Sequence, residues 1–120
     1  MFAFAAFALL SLGQMDYDAA RLDSDANGKP LVVVVSATWC GPCQKLKGTI
    51  KQLQSEKELE GINYTTVEIE EPVGRALASG TSIPQIVIFQ KVDGEWTRER
   101  IRGNQPRETM RALFRRLRSR

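Results

Sequence analysis

The sequence predicts a single α/β domain with a four-stranded mixed sheet and helices on both faces. Residues 31–35 (LVVVV) and 85–89 (QIVIF) have the length and β-branched composition of strands buried on both faces. Leu46, Ile50 and Leu53 recur between them at the spacing of a helix that buries one face. Because helices alternate with strands and the chain has 120 residues, we expect one layered domain.

The predicted elements run in the order helix, then β-α-β-α-β-β-α. They are a helix at residues 16–25, a strand at 31–35, a helix from Cys43 to Gly61, a strand at 62–69, a short helix at 72–79, strands at 85–89 and 96–102, and a helix after Pro106. Asn27-Gly28 is a typical helix stop, and Asp93-Gly94 is a typical hairpin turn. The first two strands should be parallel because a helix joins them, and the last two should form the hairpin.

Charge is distributed unevenly along the chain, although the net charge is only +3. Residues 98–120 contain nine Arg against two Glu. Alternation along the fourth strand places Arg98, Arg100 and Arg102 on one face, which suits an exposed sheet edge. A basic end could attract nucleic acid or anionic lipid, but we expect a solvated basic face on the last helix and no nucleic-acid partner.

The first thirteen residues differ in composition from the rest. Residues 2–12 (FAFAAFALLSL) carry no charge and are too short to span a bilayer as a helix. Ser11 and Gly13 are small residues two apart, as at a signal cleavage site. We therefore expect residues 1–13 to be a signal peptide and residues 14–120 to be the domain. The alternative is an N-terminal strand or helix that packs on the domain.

The residues that carry chemistry are Trp39-Cys40-Gly41-Pro42-Cys43, after a buried strand and at the start of a helix. Free N–H groups at a helix N-terminus stabilise a thiolate at Cys40, and Cys43 can resolve a mixed disulfide. Two other interpretations stay open, a purely structural disulfide and a zinc site shared with a second chain. The chain has no His, which excludes His-based catalysis, and we expect neither a metal nor a cofactor.

These five residues resemble the active site of the thioredoxin family. Ile83-Pro84 stands where thioredoxins carry a cis-proline, and the resemblance extends over about residues 31–118. It implies a thiol-disulfide oxidoreductase whose substrate groove is lined by Trp39, Gly41, Pro42, Ile83, Pro84 and Gly103. The opening helix, which leads straight into the first strand, is similar to exported members that lack the usual first strand.

Three residues depart from the family pattern. Val34 stands where thioredoxins carry a buried Asp, Thr66 replaces its partner Lys, and Gly48 replaces the proline that kinks the active-site helix. The departures imply that the proton of Cys43 is exchanged with water or between the thiolates.

The sequence therefore predicts an exported, periplasmic protein-disulfide reductase. The expected partners are protein disulfides and an electron-donating redox protein, and the chain is expected to be a monomer. A disulfide oxidant or isomerase is the nearer alternative. A thioredoxin-like binding module with incidental redox chemistry is the alternative of another class.

Overall fold

The computed structural model describes residues 15–119, so the expected signal peptide at residues 1–13 lies outside the described residues. The helices are α1 (Tyr17–Asn27), α2 (Gly41–Ser55), α3 (Pro72–Leu77) and α4 (Arg107–Arg118). The strands are β1 (Leu31–Ser36), β2 (Asn63–Glu68), β3 (Gln85–Val92) and β4 (Glu95–Arg102). This order confirms the predicted succession of elements.

The four strands form one mixed sheet in the order β2-β1-β3-β4. β1 pairs parallel with β2 and antiparallel with β3, and β3 pairs antiparallel with β4. The hairpin between β3 and β4 turns at Asp93 and Gly94, whose φ angles of 53° and 83° are those of a tight two-residue turn. β1, the strand that leads into the cysteine motif, therefore lies inside the sheet.

The sheet has a hydrophobic layer on each face, and the alternation of β1 divides its residues between them. Val32 and Val34 pack with residues of α2 and α4, whereas Val33 and Val35 pack with residues of α1 and α3. All four valines are fully buried, which explains the uninterrupted apolar run. Among residues 15–119, no helix is long and apolar enough to cross a membrane.

The end of α2 differs from the prediction. The helix stops at Ser55 and not near Gly61, because Lys57 takes a left-handed φ of 63°. The chain then turns inward, and Glu58 and Leu59 are buried. A left-handed residue that is not glycine is uncommon, and here the contacts of Glu58 account for the turn.

Glu58 is held by three arginines of α4. Its carboxylate accepts from Arg111 Nη1 and Arg115 Nη2, each at 2.9 Å, and from Arg118 Nη2 at 2.7 Å. Hydrogen bonds from Arg115 and Arg111 lower the pKa of Glu58 to about 2. Arg116 separately binds Glu99 of β4 at 3.0 Å. Several arginines of the last helix thus form ion pairs with carboxylates, whereas the sequence predicted that this basic face would be solvated.

Candidate active site

Cys40 is the N-cap residue of α2, directly beyond the carboxyl end of β1. The backbone N–H of Cys43 donates to Cys40 Sγ at 3.2 Å. Gly41 and Pro42 form the exposed first turn between the two cysteines, and Pro42 lacks only an N–H that the helix does not use. The first turn of α2 therefore directs a backbone donor and the positive end of the helix dipole at the sulfur of Cys40.

The two cysteines are joined as a disulfide and differ in exposure. Cys40 is 7% exposed and Cys43 is fully buried, and both pack against Ala37, Ile69 and Ile83. Cys40 is thus the cysteine that solvent or a partner reaches first. Attack at this disulfide from outside would occur at Cys40.

The Ile83–Pro84 peptide bond is cis, the isomer that the family resemblance implies. The Ile83 carbonyl oxygen lies 4.0 Å from Cys40 Sγ, close enough to accept from the thiol once the disulfide is reduced. Gly103, just after β4, donates its N–H to the Pro84 carbonyl at 2.8 Å. The structure therefore brings Ile83, Pro84 and Gly103 together beside Cys40.

Trp39 stands out from the surface next to the cysteines, with 69% of its area exposed. Its indole Nε1 donates to Glu70 Oε1 at 3.2 Å, which fixes the orientation of the ring. A groove separates Trp39 from the segment that holds Gly80 and Thr81. An exposed aromatic wall beside a reactive sulfur is a suitable contact for an extended polypeptide.

Gln85, which was not among the predicted site residues, is fully buried directly after Pro84. Its amide nitrogen donates to the carbonyls of Ser79 and Ser82 at 2.9 and 2.7 Å. Its Oε1 accepts from the Ser79 N–H at 3.0 Å and from Arg100 Nη1 at 2.8 Å. A Gln at the start of the apolar run 85–89, next to Ile83-Pro84, was the signal that could have revealed this network.

Comparison with known proteins identifies the family. The family described as the thioredoxin-like domain matches residues 17–118. The chain belongs to the thioredoxin-like domain family. It is 31% identical over 86 residues to the putative thioredoxin-4 of Dictyostelium discoideum, covering 71% of this chain and 79% of that protein. It is 28% identical over 78 residues to thioredoxin Asp f 29 of Aspergillus fumigatus, covering 64% of this chain and 69% of that protein.

A solved thioredoxin from Thermus thermophilus matches the thioredoxin-like fold with a TM-score of 0.71 at 24% identity. That match covers 88% of this chain and 86% of that chain. Together the family and the Cys40–Cys43 disulfide support thiol-disulfide oxidoreductase chemistry. Within residues 15–119, no three metal-ligating side chains lie together in a way that could hold a metal ion.

The core beneath the thioredoxin-like site is apolar at the position where the family resemblance implies an acid. Val34 is fully buried and pairs in register with Thr66 of β2. It packs in the same cluster as Leu46, which lies one turn along α2 from Cys43. Ser36 lies on the same face of β1, nearer the cysteines, and its buried Oγ has no hydrogen-bond partner among the described residues.

Proposed function

We propose that this thioredoxin-like protein reduces disulfides in other proteins through the Cys40–Cys43 dithiol. The observation that carries the proposal is the position of Cys40 at the N-terminus of α2, with the Cys43 N–H aimed at its sulfur. Cys40 is also the more exposed of the two cysteines and directly follows Trp39, which lines the groove. Each feature favours a thiolate that attacks an external disulfide.

The reaction begins with the reduced dithiol. The Cys40 thiolate attacks one sulfur of the substrate disulfide, forms a mixed disulfide and releases the other substrate sulfur as a thiolate that takes up a proton. Cys43, as its thiolate, then attacks Cys40 Sγ and releases the second substrate thiolate. The products are a substrate dithiol and the Cys40–Cys43 disulfide seen here. Two electrons from a redox partner return the protein to its dithiol form.

The reducing direction and the location outside the cytoplasm are part of the proposal. The Gly41-Pro42 dipeptide and Ile83 before the proline resemble reducing members of the family more than oxidising ones. The uncharged residues 2–12, with the small residues Ser11 and Gly13 at their end, support export. A reductant outside the cytoplasm needs a partner that passes electrons across the membrane.

An insulin-reduction assay with dithiothreitol tests the activity. The wild type should accelerate reduction, Cys40→Ser should be inactive, and Cys43→Ser should accumulate mixed disulfides on Cys40. No acceleration by the wild type would overturn the proposal, and trapping by Cys40→Ser alone would reverse the two roles. A reduction potential near about −270 mV supports a reductant, whereas one near about −120 mV would make the protein an oxidant.

A further inference from the structure

We propose that Arg98, Arg100 and Arg102 form a docking surface for an acidic segment of the substrate polypeptide. The inference rests on the proposed reductase function and adds the class of substrate. The three residues will be called the β4 arginine row. They alternate along β4, so their side chains leave the same face of the sheet at intervals of about 7 Å.

The β4 arginine row starts beside the active site. Arg102 pairs in register with Gln85, the residue after Pro84. Arg102 is also followed by Gly103, whose N–H donates to the Pro84 carbonyl. Arg102 Nη1 also donates to the Ser79 carbonyl at 2.8 Å, at the segment that borders the groove. From there the row leads away from Cys40 along the strand at the end of the sheet order.

The positive charge of the row has no carboxylate counterpart within residues 15–119, since no acidic group forms a salt bridge with any of the three. Glu99 lies between two of them in sequence but faces the other side of the sheet, where it binds Arg116 at 3.0 Å. Arg100 Nη1 donates to the Leu77 carbonyl at 2.9 Å and to Gln85 Oε1 at 2.8 Å, and both acceptors are neutral. Burial, with the neighbouring charges of Arg98 and Arg102, lowers the pKa of Arg100.

The opposite side of the active site carries two acidic residues and one basic residue. Glu70 and Glu71 follow β2, Glu70 holds the ring of Trp39, and Arg75 lines the groove there and donates to the Glu70 carbonyl. The groove is therefore only weakly acidic at Trp39, whereas its other flank, at the β4 arginine row, is basic. A substrate segment with acidic residues on one side of its cysteine would be attracted in one orientation only.

An extended polypeptide fits the spacing of the row. Alternate side chains of an extended chain lie about 7 Å apart, so acidic residues at alternate positions can face successive guanidinium groups. Exposed ion pairs stabilise a complex weakly, and their main effect is on the rate of association, which salt reduces. The predicted preference is therefore kinetic and strongest at low ionic strength.

The test compares three disulfide peptides that differ only in flanking residues, which are Glu, Gln or Lys at alternate positions. The readout is the ratio of kcat/KM for the Glu peptide to kcat/KM for the Gln peptide, at low and high salt. The wild type should prefer the Glu peptide by about fivefold at low salt and lose the preference at high salt. Reduction of the Gln peptide by the wild type reports separately on the proposed reductase function.

Arg98→Glu is the decisive variant, because Arg98 is exposed and is not part of the hydrogen bonds that hold the 79–82 segment. It should abolish or reverse the preference for the Glu peptide. Lys51→Glu, an equal charge change at an exposed position on α2, should leave the preference intact. Equal rates for the Glu and Lys peptides, or a preference that survives Arg98→Glu, would overturn the inference. So would an Arg98-dependent complex with an oligonucleotide that excludes the Glu peptide.

Discussion

Arg100 and Gln85 are joined across the β3–β4 pair, with Arg100 Nη1 donating to Gln85 Oε1 at 2.8 Å. The other hydrogen bonds of the Gln85 amide hold the segment from Ser79 to Ser82, which leads into Pro84. One wall of the groove is thus fixed from inside the sheet, whereas the other wall, Trp39, is fixed from the surface by Glu70.

Gln85→Leu should therefore damage the groove as well as the fold. Leucine fills a similar volume but removes the hydrogen bonds that fix residues 79–82. We expect a loss of about 1–3 kcal/mol in the free energy of unfolding, the range for a buried hydrogen-bonded group. The KM for a protein disulfide should rise several-fold, with a smaller change in kcat. Denaturant unfolding and steady-state kinetics measure the two effects.

Gln90→Leu is the matched control on the same strand. Gln90 is also buried, but its Oε1 has no hydrogen-bond partner among the described residues and it lies near the hairpin end of β3. We expect little change in stability or KM. Equal increases in KM for both variants would show that the hydrogen bonds of Gln85 do not position the groove.

The pairing of Glu58 with α4 should make the fold sensitive to acid. The pKa of Glu58 in the folded protein, about 2, lies below its ordinary value of 4.5. The ionised carboxylate therefore stabilises the fold fully at pH values above 4.5. That contribution should disappear as the pH falls from about 4.5 towards 2. Glu58→Gln should therefore lower the free energy of unfolding near neutral pH, and its difference from the wild type should shrink with acid.

Denaturant unfolding at several pH values measures this difference. Glu60→Gln is the control, because Glu60 is exposed and forms no salt bridge within residues 15–119. Its difference from the wild type should stay small throughout. A Glu58→Gln difference that is the same at neutral and acidic pH would contradict the ion-pair explanation.

The order of elements and the cysteine site could be predicted because their signals are local. Apolar runs, Asp93-Gly94 and the Cys40-to-Cys43 motif each lie within a few residues. The end of α2 could not be predicted, because it depends on Glu58 meeting arginines 53 to 60 residues further along the chain. Gln85 was missed for a similar reason, since strand periodicity does not reveal which loop a buried amide will bind.

If the protein is exported, the signal peptide should be removed and the chain should be shorter in the native host. Residues 1–13, which end with Ser11 and Gly13 at the expected cleavage site, should be removed, so that the mature protein begins at Gln14. Mass spectrometry of the protein from fractionated cells measures both its first residue and its compartment. A cytoplasmic protein that retains residues 1–13 would contradict export and leave the reductase chemistry unaffected.

Val34 sets the expected pH dependence of turnover. An apolar side chain cannot exchange the proton of Cys43, so the wild-type rate should rise steadily with pH through the neutral range. Val34→Asp should supply a proton acceptor beneath α2, and its apolar surroundings should raise the pKa of the introduced carboxyl. We expect Val34→Asp to turn over faster than the wild type near pH 7 and its rate to depend less on pH. The free energy of unfolding should fall by about 1–3 kcal/mol.

Reductase assays across about pH 6 to 9, below the unfolding temperature of each variant, test this expectation. Val33→Asp is the matched control, since Val33 is equally buried but packs in the layer on the opposite face. It should destabilise the fold without altering the pH profile, and Val34→Asn should also leave the profile unchanged. A flat wild-type profile would show that another group accepts the proton. Ser36→Ala would then test whether the unpartnered buried hydroxyl of Ser36 relays that proton, since a hydroxyl is too weak a base to keep it.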